Sequence, residues 1–129
     1  MARVLMTQST ILLVDDEPEV LRLFKRLLCV KGTLILEAQT GAEALKIARQ
    51  ARLDLMILDL KLPDMSGTEV LRRMRRIDTS VPVIIVTSHG SVETVRASME
   101  LGAFDYLTKP FDNQEVRRVA QQALAACRT

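Results

Sequence analysis

The stretch LMILDLKLPDMSG, residues 55–67, runs apolar for four residues and then stops at a carboxylate, Asp59. A short apolar run bounded by polar and turn-forming residues suits a strand buried on both faces, as in a parallel sheet covered by helices. The pattern repeats outward along the chain. Strand-like runs fall at Ile11 to Val14, Thr33 to Ala38, Leu55 to Leu58, Val83 to Val86 and Phe104 to Leu107, with helical periodicity between them. Five βα repeats predict an α/β fold. Right-handed crossovers then favour a doubly wound five-stranded parallel sheet with helices on both faces.

Local signals mark the helix starts. Thr40 to Glu43 and Ser66 to Glu69 have the capping-box spacing, Asp112 to Glu115 is its Asp variant, and Pro18 suits a first helical turn. In the third helix Val70, Leu71 and Met74 share one face, while Arg72, Arg73, Arg75 and Arg76 fall largely on the other. That basic run reads as a solvated face, because it lacks the interleaved aromatic residues of a nucleic-acid surface.

The 129 residues predict one domain at 9–129 behind a loose tail at 1–8. The apolar share is 48% and the aromatic share 3%, so the core must be built from Leu, Ile, Val, Ala and Met. A formal charge of +2 is too small to predict nucleic-acid or membrane partners. Cys29 and Cys127 lack metal-ligand spacing, and the opening MARVLMTQST lacks a signal-peptide core, so a reduced, cytoplasmic protein is expected. No apolar run approaches the roughly 20 residues of a membrane span.

In doubly wound sheets the ligand site lies beyond the carboxyl ends of the strands. Here the first strand runs into Asp15 and Asp16, the third into Asp59 and the fourth into Thr87, and Lys109 and Pro110 follow the fifth. Three crowded carboxylates repel unless a cation neutralises them. Oxygen-only ligands suit Mg²⁺, or the similar Mn²⁺. One carboxylate can then attack phosphorus to give an aspartyl phosphate. Phosphoryl transfer needs mainly positioning and charge neutralisation, which the cation and an ammonium supply.

The segments ILLVDDEP (11–18), LMILDLKLPDMSG (55–67), PVIIVTS (82–88) and GAFDYLTKPF (102–111) resemble the receiver domain of bacterial two-component response regulators. The similarity covers roughly residues 9–126 and is greatest to receivers of nitrogen-regulation-type transcriptional activators. It implies a flavodoxin-like strand order 2-1-3-4-5, with Asp59 as phosphoacceptor. It implies a Mg²⁺ site made by Asp15, Asp16, Asp59 and the main-chain carbonyl of Lys61. Thr87 would be the switch hydroxyl, Lys109 the ammonium beside the phosphoryl group, and Tyr106 the aromatic residue that moves inward on activation. Ser88 would leave room for the phosphoryl group, the Lys109–Pro110 peptide would be cis, and Lys61 and His89 would influence acyl-phosphate hydrolysis.

The resemblance further implies a phosphoprotein of phosphorelay signal transduction that accepts its phosphoryl group from a sensor histidine kinase or a small phosphodonor, not an enzyme with its own turnover. A phosphorylation-dependent homodimer would use the fourth helix, fifth strand and fifth helix, where Arg96, Glu100 and Arg117 are candidates for pairing across the interface. Two rivals share parts of the pattern. A haloacid-dehalogenase-like phosphatase needs a second Asp two residues after its nucleophile, where this chain has Lys61 after Asp59 and Glu17 after Asp15. A binding-only pseudo-receiver would be expected to have lost site residues, and all five side chains are present. A flavodoxin-like cofactor domain is disfavoured because DDEP would repel a phosphate.

Overall fold

The computed structural model describes residues 8–88 and 92–127; His89 and all but the last residue of the expected tail at 1–8 lie outside the described residues. Strands and helices alternate as β1 (Ser9–Val14), α1 (Pro18–Leu28), β2 (Thr33–Ala38), α2 (Gly41–Gln50), β3 (Leu55–Asp59), α3 (Gly67–Ile77), β4 (Val83–Thr87), α4 (Val92–Glu100), β5 (Asp105–Thr108) and α5 (Asn113–Cys127). The five strands form one parallel sheet in the order β2-β1-β3-β4-β5. The reversal of winding falls between β1 and β3, where Val14 pairs with Leu58 and so places Asp15 beside Asp59.

The period-two alternation of strand side chains divides the core into two layers. Ile11, Leu13, Leu55, Ile57, Ile84 and Val86 pack against α1 and α5. Leu12, Val14, Met56, Leu58, Val83 and Ile85 pack on the other face, against α2 and α3. β3 and β4 are apolar at every position until their last residues, Asp59 and Thr87, which lie inside the strands that the sequence ended one residue earlier. β1 begins at Ser9, two residues before the expected start, because the Ser9 amide reaches the Gly32 carbonyl at 2.8 Å. β5 is displaced by one residue from its expected span.

The caps follow the sequence in part. Thr40 and Ser66 accept the amides of Glu43 and Glu69, as capping-box residues do. The reciprocal half fails in α3, where the Glu69 carboxylate is drawn to Arg72 and Arg73 instead. Asp112 accepts the Gln114 amide at 2.8 Å, and Pro18 opens α1.

Arg75 departs from the solvated face predicted for it. Its guanidinium donates to the carbonyls of Val81 at 2.7 Å and Gly102 at 2.8 Å, tying the end of α3 to the turn after α4. Burial lowers its pKa. Gly102 adopts φ +92, a left-handed conformation that ends α4 and that side chains rarely tolerate. Arg117, expected at a dimer face, turns toward α1, where its Nε lies 3.5 Å from the Leu27 carbonyl. Cys29 is an exposed free thiol.

Candidate functional site

Asp15 and Asp59 are both buried at the carboxyl ends of adjacent strands, and each is held in the same way. One oxygen of each accepts the backbone amide two residues on: Asp15 Oδ1 from Glu17 and Asp59 Oδ1 from Lys61, both at 2.9 Å. The second oxygen of each faces the Lys109 ammonium. Lys109 Nζ lies 3.2 Å from Asp15 Oδ2, 3.1 Å from Asp59 Oδ2 and 3.0 Å from Glu17 Oε1. The lysine follows the edge strand β5; its own amide donates to the Thr87 carbonyl at 2.8 Å, and the Lys109–Pro110 peptide is cis.

The electrostatics follow from this crowding. Burial, then the neighbouring Asp59 carboxylate, pushes the Asp15 pKa from 3.8 up to about 6 against the opposing effects of the Glu17 amide and Lys109. Burial alone would lower the Lys109 pKa. Hydrogen bonds to Glu17 and Asp59 and the charges of Asp15 and Asp59 outweigh it, so its pKa is raised and the ammonium stays charged.

Carboxylate oxygens of Asp15, Asp16, Glu17 and Asp59 all lie within 4.8 Å of one another. An all-oxygen donor set of this charge fits a hard divalent cation, and Asp16 is exposed on the open side, where a hydrated ion could approach. Thr87 is buried at the end of β4, and Ser88 beside it is exposed. Tyr106 is 45% exposed and lines an open cleft with Val92, Val95 and Thr108. The structure thus brings Asp15, Asp16, Asp59 and Lys109 together and sets Thr87 at the end of the adjoining strand.

Glu17 is a member of the pocket that the sequence reading passed over as a site residue. Its position directly after the acidic pair was the available signal, but the contact with Lys109 spans 92 residues. The loop after β3 is fixed closely. A Cβ at Gly67 would fall 2.6 Å from both the Asp59 carbonyl oxygen and the Leu60 Cα, so only a hydrogen fits where α3 starts against β3.

A parallel sheet of this order with acidic residues gathered at the β1/β3 rim defines a receiver-type signalling fold. A family model described as "Response regulator receiver domain" matches residues 11–121. The chain is 38% identical over 119 residues to sporulation initiation phosphotransferase F of Bacillus subtilis (strain 168), covering 92% of this chain and 96% of that protein. It is 35% identical over 114 residues to the transcriptional regulatory protein GlrR of Escherichia coli (strain K12), covering 88% of this chain but 26% of that protein. Among solved structures, a CheY-like response regulator receiver domain protein from Methanospirillum hungatei JF-1 superposes with a TM-score of 0.89 at 30% identity, covering 94% of this chain and 97% of that one. The chain belongs to the response regulator receiver family and is the receiver domain of a two-component response regulator. Among the described residues no helix is long and apolar enough to cross a membrane.

Proposed function

We propose that Asp59 is the phosphoacceptor and that Asp15, Asp16 and the main-chain carbonyl of Lys61, together with Asp59, hold Mg²⁺ or Mn²⁺. The observation that carries this reading is the buried Asp59 carboxylate, set 3.1 Å from an ammonium and among the carboxylates of a cation-type cluster. When bound, the cation neutralises charge on the phosphoryl oxygens. The chain's own residues do the rest. A carboxylate oxygen of Asp59 attacks phosphorus as the P–N bond to a histidine-kinase imidazole breaks, and the imidazole nitrogen keeps the electron pair and takes a proton. Lys109 offsets the charge that builds on the phosphoryl oxygens while remaining paired with Glu17 and Asp15. The Thr87 hydroxyl donates to a phosphoryl oxygen, and its movement opens space for Tyr106 beside Val92 and Val95. That change alters the α4-β5-α5 surface, through which the phosphorylated protein dimerises.

The test is labelling with acetyl phosphate and Mg²⁺ followed by mass spectrometry. Wild type gains one phosphoryl group at Asp59 and Asp59→Asn gains none. Equal labelling of the variant would remove the assignment. A binding-only module would show no labelling of wild type, and a phosphatase of the haloacid dehalogenase type would sustain hydrolysis of a phosphomonoester.

A further inference from the structure

We infer that Asp64 is a positioning residue for the cation site: by capping the neighbouring helix α2 it sets where the loop after β3 presents the Lys61 carbonyl. The inference rests on the reading of that carbonyl as a cation ligand. The loop of residues 60–66 is closed at its base by a Lys61–Ser66 bridge and by the Gly67 amide donating to the Leu60 carbonyl at 2.8 Å. These bonds join the loop to itself and to β3. None of them ties the outer part of the loop to another element.

Asp64, at the outer part of the loop, is bonded to a different element. Its Oδ1 accepts the Gly41 amide at 2.8 Å and its Oδ2 accepts the Ala42 amide at 2.9 Å. These are the first two amides of α2, which the helix cannot satisfy itself, and the cap residue Thr40 covers only the Glu43 amide. A carboxylate also suits the positive end of a helix. The hydrogen bonds from Gly41 and Ala42 lower the Asp64 pKa, so this exposed group is ionised and bonded through both oxygens near neutral pH. Beside it, Met65 lies so close to α2 that a Cβ at Gly41 would fall 2.6 Å from Met65 Cγ. The loop tip is thus seated on α2 by a two-oxygen clamp and a side chain packed over glycine. The Lys61 carbonyl is carried by backbone between two fixed points, the bond from its own amide to Asp59 on one side and the Asp64 clamp three residues on at the other. Residues that orient a ligand without touching the ion commonly matter for affinity.

The test measures Mn²⁺ binding by electron paramagnetic resonance, and Mg²⁺ binding by calorimetry, for wild type, Asp64→Ala, Asp64→Asn and Thr40→Ala. Thr40→Ala removes a cap from the same helix end without touching the loop, so it reports the cost of losing a cap alone. Asp64→Ala is expected to weaken cation binding about tenfold, with Asp64→Asn intermediate because one acceptor oxygen survives. Thr40→Ala should lower the melting temperature as Asp64→Ala does, yet keep wild-type affinity. Unchanged affinity in both Asp64 variants, or an equal loss in Thr40→Ala, overturns the inference. Should Asp64→Ala not fold, Asp64→Asn against Thr40→Ala decides it. Wild-type protein that binds neither cation would instead overturn the reading of the pocket itself.

Discussion

The two βα units on either side of the pocket are built differently. In the β3–α3 unit, α3 buries Gly67, Val70, Leu71 and Met74, is capped by Ser66, and starts within hydrogen contact of the Asp59 backbone. In the β4–α4 unit, Ser98 is the buried residue among those described in α4, while Val92 is 71% and Met99 41% exposed. Arg75 fastens the far end of α4 through the Gly102 carbonyl, leaving the end next to Thr87 with little apolar anchoring. Few buried contacts mean a low cost of local opening. One flank holds the Asp59 carboxylate still, and the other has few buried contacts to hold it in place.

The largest test of this contrast is truncation in the two helices. Leu71→Ala removes a fully buried side chain between α3 and the sheet and should cost about 3 kcal/mol or more. Met99→Ala on α4 should cost under about 1 kcal/mol. Urea melts of the two variants check this, and similar losses would break the comparison.

A smaller effect tests whether the β3 flank is rigid enough to keep Asp15 buried beside Asp59. With a chelator present, Asp15 has a pKa of about 6 folded and 3.8 unfolded, so the folded state binds more protons between those values. Its contribution to stability is therefore greatest below pH 3.8, falls as the pH rises toward 6, and is absent above that. Full conversion of the displacement would be about 3 kcal/mol; screening at the open rim reduces it to on the order of 1–2 kcal/mol. Denaturant melts from pH 3.5 to 7 should show wild type losing stability relative to Asp15→Asn as the pH rises, with the difference levelling off above about 6. A constant difference would mean that Asp15 is not held buried beside Asp59.

The smallest effect on stability should accompany the clearest effect on signalling. Thr87→Ala should change stability by about 1 kcal/mol and still accept phosphate at Asp59. It should lose the fluorescence response of Tyr106, the single tyrosine in a chain without tryptophan, to beryllofluoride with Mg²⁺. The same response in wild type and variant would place the moving part elsewhere than the β4–α4 flank. Ionisation or phosphorylation shifts such an equilibrium only by binding its two states differently.

What could be read from the sequence was whatever repeats with a local period. The apolar runs set the five strands, and the break of each run marked Asp15, Asp59 and Thr87 at one rim. The unread part depends on contacts between distant residues. Glu17 looked like a helix-leading acid and proved to share the Lys109 ammonium. Arg75 had the spacing of an exposed helix face, but its partners Val81 and Gly102 come from the connections before β4 and after α4. Asp64 sits within a turn-like PDMSG segment whose composition gives no hint that its carboxylate caps α2.

The hydrogen-wide gap at Gly67 bears on how such domains can be recombined. The residue's dihedral is not among the left-handed ones, so the constraint is not conformational freedom but the thickness of the seam between strand and helix. A graft that exchanges β3, the loop or α3 separately between two family members would have to match that seam from both sides. At this seam residues 59–67 therefore behave as one cassette: moved whole, they keep the fit of strand to helix, and divided, they ask two unrelated surfaces to meet with no side chain between them.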